Sequence, residues 1–95
     1  MNESIHTSLK VPTPLRAYAG RQARVELAGA TVGAAMGDLV SRYPDLQKHL
    51  YADDGSLRSF VNLYVNGQDI RQLDGLATPL SNGDQMTLIP AIAGG

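Results

Sequence analysis

The group in this sequence with the clearest chemical use is the α-carboxylate of Gly95, reached through Pro90-Ala91-Ile92-Ala93-Gly94. Glycine has no Cβ, so Gly94 and Gly95 can lie extended in a channel too narrow for other residues. Extended, the stretch from Pro90 to Gly95 spans about 20 Å, enough to enter another protein while a folded body stays outside. A free carboxylate is a poor electrophile. Adenylation by ATP would give it a leaving group, and sulfide attack on the acyl adenylate would leave a thiocarboxylate on Gly95. The plain alternative is a frayed terminus, the usual fate of terminal glycines. Against fraying stands the approach Pro90-Ala91-Ile92-Ala93, uncharged and mostly apolar, which solvated linkers seldom carry.

No other constellation competes with that carboxylate. His6 and His49 are distant from each other in sequence and from any compact acidic set, so no metal site is expected. Asp53-Asp54-Gly55 lacks the ligand spacing of a calcium loop and reads as a turn. Gly29, Gly33 and Gly37 are not followed by the Lys-Ser/Thr pair of a phosphate-binding loop. Ser, His and Asp are present without a G-x-S-x-G signature. Asp69, Asp74 and Asp84 fall near predicted turns, where carboxylates are solvated. The chain contains no cysteine, which removes disulfides, thiolate metal sites and a thiol nucleophile. The expectation is a protein with no catalytic residues of its own, no metal and no bound cofactor.

At 95 residues the chain has the size of one domain, and a hydrophobic share of 43% suits a small folded core. Eight basic against nine acidic residues give a net charge of −1, and the basic residues are scattered along the sequence. That pattern offers no phosphate-tracking stripe, so no nucleic acid is expected. The first residues lack a signal peptide's basic and apolar regions, and no apolar stretch approaches the ~20 residues of a membrane span. A cytoplasmic protein without a membrane partner is the expectation.

The carboxylate needs a body to present it. Ile5, Thr7, Leu9 and Val11 alternate with polar residues as in a half-buried strand, which Pro12 and Pro14 should end. Ala23, Val25 and Leu27 repeat the pattern, so a second strand should return beside the first. Thr31 is a fitting N-cap for a helix whose apolar stripe is Val32, Ala35, Met36, Leu39, Val40 and Tyr43, with Asp38 and Arg42 as an i,i+4 pair. Pro44 disfavours helical geometry at Tyr43 and should stop it there. Gly33 and Gly37 flank the stripe and would allow close approach of a neighbouring segment. Leu46 and Leu50 would anchor a short second helix. Phe60 to Asn66 is the clearest strand, followed by a tight Asn66-Gly67 turn. A short strand is expected around Asp69-Ile70-Arg71, and a last strand over Met86–Ile89 after the turn at Ser81-Asn82-Gly83-Asp84. One helix packed across one sheet face is the economical way to bury both apolar surfaces. The order fits an α+β fold, a β-grasp or ubiquitin-like roll: a mixed sheet of four to five strands on one main helix. The domain should cover 1–89, with 90–95 as a flexible tail.

Several segments together resemble a known family. Phe60-Val61-Asn62-Leu63-Tyr64-Val65-Asn66, Gly75-Leu76, Asn82-Gly83-Asp84-Gln85-Met86, Pro90 and Gly94-Gly95 are similar to the ubiquitin-like sulfur carriers of the MoaD/ThiS type. The resemblance implies a β-grasp fold and activation of Gly95 by an E1-like, ATP-dependent adenylyltransferase and sulfurtransferase. Gly94 is then the unobstructed residue before the reactive end. Pro90-Ala91 departs from the Pro-Pro common in molybdopterin synthase small subunits. The FVNLYVN stretch and the Ala-Gly-Gly ending look closer to carriers that supply sulfur for cysteine synthesis. In that branch a PLP-dependent cysteine synthase consumes the thiocarboxylate and a metalloprotease frees the added cysteine. The alternatives are partnership with the molybdopterin synthase large subunit, or a ubiquitin-like module that only binds or is conjugated to lysines through Gly95.

Strand parity marks a surface for such partners. With Val61, Leu63, Val65, Met86 and Leu88 facing the helix, Phe60, Asn62, Tyr64, Thr87 and Ile89 face away. An apolar patch leading into a reactive tail would serve docking, whereas single exposed apolar residues need no function. Phe60, Tyr64 and Ile89 are the candidates; in the related carriers, apolar residues at the position of Ile89 meet the activating enzyme.

Overall fold

A computed structural model describes residues 5–58 and 61–90, Pro90 by its backbone alone. Alternation makes the first two strands one-sided. In β1 (His6–Lys10) and β2 (Arg24–Ala28), Thr7, Leu9, Val25 and Leu27 are buried while His6, Lys10, Arg24 and Glu26 are exposed. The two strands pair antiparallel with Leu9 opposite Val25. Between them, Thr13–Tyr18 form a 3₁₀ turn with Pro14 in its first turn, and it buries Leu15. The two prolines were expected only to end a strand; their fixed φ also suits the start of a helical turn.

Helix α1 (Val32–Arg42) starts where the Thr31 hydroxyl accepts a hydrogen bond from the Ala34 amide. Val32, Ala35, Met36 and Leu39 are fully buried against the sheet, and Val40 and Tyr43 pack at the edge of the core. Asp38 pairs with Arg42 at 3.4 Å and also accepts from the Ala28 amide, which ties the helix to β2. The second helical segment is split: Pro44–Leu46 is 3₁₀ and α2 (Gln47–Leu50) is α-helical, with Leu46 and Leu50 both buried.

Strand β3 (Val61–Val65) alternates as expected and turns at Asn66-Gly67, both with positive φ, 50° and 88°. Strand β4 (Gln68–Asp69) is shorter and earlier than the sequence indicated. The reason is local: the Asp69 carboxylate accepts from the Arg71 amide and caps a 3₁₀ turn over Ile70–Gln72, which buries Ile70. Strand β5 (Gln85–Pro90) closes the sheet in the order β2-β1-β5-β3-β4. β5 runs parallel to β1 and antiparallel to β3, so the sheet is mixed, with α1 across one face. This is the β-grasp architecture.

The ladder between β1 and β5 ends at Lys10 opposite Thr87. Its next rung would need an N–H from Pro12, and proline has none. β5 is therefore flanked on both sides as far as Thr87 and only by β3 from Leu88 onward. At the other end of β5, Asn66 binds the Gln85 amide and the Asp84 carboxylate, at 3.0 Å each, while Asn82 accepts from the His6 amide. The Asn-Gly-Asp turn thus fastens the starts of β1 and β5 to the end of β3.

The two helix glycines differ. A Cβ on Gly33 would stand 3.1 Å from the Leu76 carbonyl oxygen, whereas a Cβ on Gly37 would meet nothing within 4 Å. Close approach is real at Gly33 only. Gly37→Ala should therefore stabilise the protein by about 0.5–1 kcal/mol through helix propensity, a rise of about 2–8 °C in Tm. At Gly33→Ala the same gain must displace the Gly75–Ala77 turn, so a clearly smaller rise or a fall is expected. Thermal denaturation followed by circular dichroism separates the two.

Candidate functional site

The face of the sheet away from α1 carries one row across all five strands: Arg24, Lys10, Thr87, Tyr64 and Asp69 are successive register partners. One step toward the tail, Ile89 lies opposite Asn62. Ile89 is 47% exposed, the most exposed of the large hydrophobic residues described. Tyr64 is half-buried. Arg71 reaches over this face from the turn after β4, bonding Asn62 and both carboxylate oxygens of Asp69. Hydrogen bonds from the Arg71 side chain, and then from its amide, hold the Asp69 carboxyl below the usual carboxylate range.

Beside Ile89 the surface falls into a cleft of about 340 Å³, lined by Lys10, Pro12, Thr13 and Arg16 on one side and Thr87 and Ile89 on the other. Arg16 is oriented by a 3.0 Å bond from its Nε to the Val11 carbonyl, which leaves the outer guanidinium nitrogens available. Sequence reasoning placed Ile89 and Tyr64 here but missed Pro12 and Arg16. The available signal was the Pro-x-Pro start of a helical turn with Leu15 and Ala19 spaced to bury, as both do.

The remaining candidates take structural positions. His6 lies 3.5 Å from Glu26 at the far end of the face. His49 stacks on Tyr18 with ring centroids 4.3 Å apart. Asp54 accepts two hydrogen bonds from Ser56 within its own turn, and Asp84 accepts from the Ser81 amide. Among the described residues no group of three or more His, Cys, Asp or Glu could hold a metal, and no helix is long and apolar enough to cross a membrane. Phe60, Ala91, Ile92, Ala93, Gly94 and Gly95, named from the sequence as docking and tail residues, lie outside the described residues.

The last strand leads toward the tail with Ile89 exposed on its outer face. Residues 9–95 match the model of the ThiS family. The chain belongs to that family. The sulfur carrier protein CysO of Mycobacterium tuberculosis is 40% identical over 93 residues, covering 96% of this chain and all of that protein. Among solved structures, a chain in the crystal structure of the Amycolatopsis orientalis BexX/CysO complex superposes with a TM-score of 0.85 at 37% identity, covering 94% of this chain and 99% of that one. The small archaeal modifier protein 1 of Methanosarcina acetivorans gives a TM-score of 0.85 at 27% identity, covering 99% of this chain and all of that one. The ThiS-family resemblance and the β-grasp fold read from the sequence are both borne out.

Two outcomes follow from this geometry. Ile89→Asp should change stability by no more than about 1 kcal/mol, because the new charge sits on the open face. Leu88→Asp, one residue earlier and buried, should prevent folding by placing an unpaired charge in the core. Circular dichroism and urea titration check both. For Asp69, a folded-state pKa below the unfolded one stabilises the fold above the unfolded pKa, and that contribution is lost as pH falls through the folded value. Carboxyl NMR titration should give Asp69 a midpoint below the ordinary aspartate value, and Arg71→Ala should raise it.

Proposed function

We propose that this chain is a sulfur carrier whose reactive group is the α-carboxylate of Gly95. The observation that carries the reading is the family match, which runs to Gly95, together with 40% identity to a sulfur carrier over nearly the full chain. The chain binds no cofactor; an E1-like adenylyltransferase supplies ATP chemistry. The Gly95 carboxylate attacks the α-phosphorus of ATP and expels pyrophosphate, leaving an acyl adenylate. A sulfide equivalent displaces AMP, and the thiocarboxylate remains. Pro90, Ala91, Ile92, Ala93 and Gly94 form the stalk that enters the partner's active site. Ile89, Tyr64 and Phe60 form the docking surface outside it.

The acceptor is a PLP-dependent cysteine synthase, whose cofactor would supply an electrophilic amino-acid carbon. The Gly95 thiocarboxylate would supply the sulfur nucleophile. Transfer of the Gly95 acyl group from that sulfur to the amine of the new cysteine would leave the cysteine attached through an amide. A metalloprotease releases it. The chain works in the cytoplasm. Similarity to a small archaeal modifier protein favours one second reading, in which a lysine amine of a target protein attacks the activated Gly95 carbonyl and an isopeptide bond results.

Deleting Gly95 should abolish activation without lowering thermal stability. The deletion withdraws the carboxylate by about 3.5 Å, and a misplacement of ~1 Å already costs on the order of a hundredfold in rate. Pyrophosphate release by the cognate activating enzyme is the measurement. Activation of the shortened chain at the full rate would return Gly94 and Gly95 to the status of a frayed end. The thiocarboxylate itself is detected with a thiol-reactive probe, which no cysteine can confuse. Recovery of the chain joined through an isopeptide bond to a lysine of another protein would instead favour conjugation.

A further inference from the structure

The cations that the sequence scatters are gathered by the fold at the tail end of the outer face. Lys10 and Arg24 are direct register partners across the antiparallel β1–β2 pair. Like charges placed directly opposite each other in a sheet are destabilising. Arg16 comes to the same side from the 3₁₀ turn and, with Lys10, lines the cleft beside Ile89. Among the described residues none of these three cations lies in a salt bridge, whereas Arg42 and Arg71 pair with Asp38 and Asp69. Arg24 donates to the Ser8 hydroxyl and so points away from the cleft, which leaves Lys10 and Arg16 as its cations. The nearby carboxylates are engaged elsewhere: Glu26 faces His6, and Asp69 is held by Arg71. Folding alone gives no reason for this arrangement.

The backbone at the same place is also incomplete. The Asp84 carbonyl accepts from the Ser8 amide, and the alternation of a strand then turns the Met86 and Leu88 carbonyls toward β1 as well. The donor that would meet the Leu88 carbonyl is the missing N–H of Pro12. The cleft therefore offers a backbone acceptor at its base, an apolar wall in Pro12 and Ile89, and cations at its rim.

We infer that this cleft receives an extended, acidic segment of the enzyme that acts on the tail. A backbone N–H of that segment meets the Leu88 carbonyl and extends the sheet by strand addition. An aliphatic side chain rests on Pro12 and Ile89. Carboxylates of the segment pair with Lys10 and Arg16, which sets orientation and association rate more than contact area does. A nucleic acid fits less well, because Pro12 and Ile89 give the cleft an apolar wall and the chain as a whole carries a net charge of −1. The inference rests on the carrier reading for the identity of the partner, but it concerns the folded body and not the carboxylate.

The deciding experiment uses the full chain and its E1-like activating enzyme, with binding measured by calorimetry across a salt series. Lys10→Glu creates an opposite-charge pair with Arg24, so Tm should rise while affinity for the enzyme falls about tenfold and its salt dependence weakens. Arg16→Glu should lower affinity without that stabilisation. Opposite signs for stability and binding are what a merely structural role for Lys10 cannot produce. Unchanged affinity and salt dependence in both variants would overturn the inference, as would wild-type binding to single-stranded RNA or anionic vesicles that Lys10→Glu abolishes. A wild-type chain that the enzyme binds but cannot adenylate would count against the carrier reading while leaving the cleft tested by the same titration.

Discussion

The pairing of β5 between β1 and β3 is the constraint on which the rest of the structure depends. This strand brings Met86 and Leu88 into the centre of the core, and its neighbours β1 and β3 come from widely separated parts of the sequence. A parallel β1–β5 pair cannot be joined by a tight turn. The intervening chain must cross over, and α1 and the segments around it cover the sheet while doing so. The consequence for the C-terminal side is mechanical. The strand that leads toward the tail is held by backbone hydrogen bonds on both sides as far as Thr87, so its direction is set by the sheet and not by a loop.

The place where that support stops is chemically specific. Proline cannot donate to a ladder, and Pro12 ends the β1 contribution at the level of Leu88. The same proline begins the 3₁₀ turn that carries Arg16 back over the cleft. A single residue thus opens one side of β5, provides an apolar wall and positions a cation. At the opposite end of β5, Asn66, Asn82 and Asp84 satisfy backbone groups that the turns leave over. The Asn-Gly-Asp stretch that contributes to the family resemblance therefore has a structural use in this chain, which is to lock the register of three strands. A shift of one residue would turn Leu88 outward and Ile89 inward.

The two faces of the sheet divide the work. The inner face is aliphatic and packed on α1, where Val32, Ala35, Met36 and Leu39 are fully buried. The outer face is thinly covered, with Arg71 laid over Asn62 and Tyr64 beside Thr87. A sheet with one solvated face is ordinary for antiparallel strands. Its composition is not uniform, however: carboxylates with partners lie beside the start of β1 and at the β4 margin. Among the described residues the cations Lys10 and Arg16, which lie in no salt bridge, collect where β5 loses β1.

Much of this was legible in the sequence, because the relevant signals are local. Period-two alternation gave β1, β2, β3 and β5; Thr31 and Pro44 bounded α1; and Asn66-Gly67 marked its turn through the positive φ that these residues tolerate. The parity that turns Ile89 and Tyr64 to the outer face followed from the same alternation. The reading failed where one side chain rewrote the local backbone, as when Asp69 capped the Ile70–Gln72 turn and shortened β4. The prolines ended the first strand as expected, but the helical turn they also begin was missed. Only the tertiary structure decided which strands are neighbours, and with that the meeting of Lys10 with Arg16 beside Ile89 and with Arg24 across the β1–β2 ladder. Those residues are separated in sequence by loops whose course depends on burying Leu15 and Ala19. Charge scattered along a chain becomes a patch only when register sets one strand beside another, and register is fixed by the whole core at once.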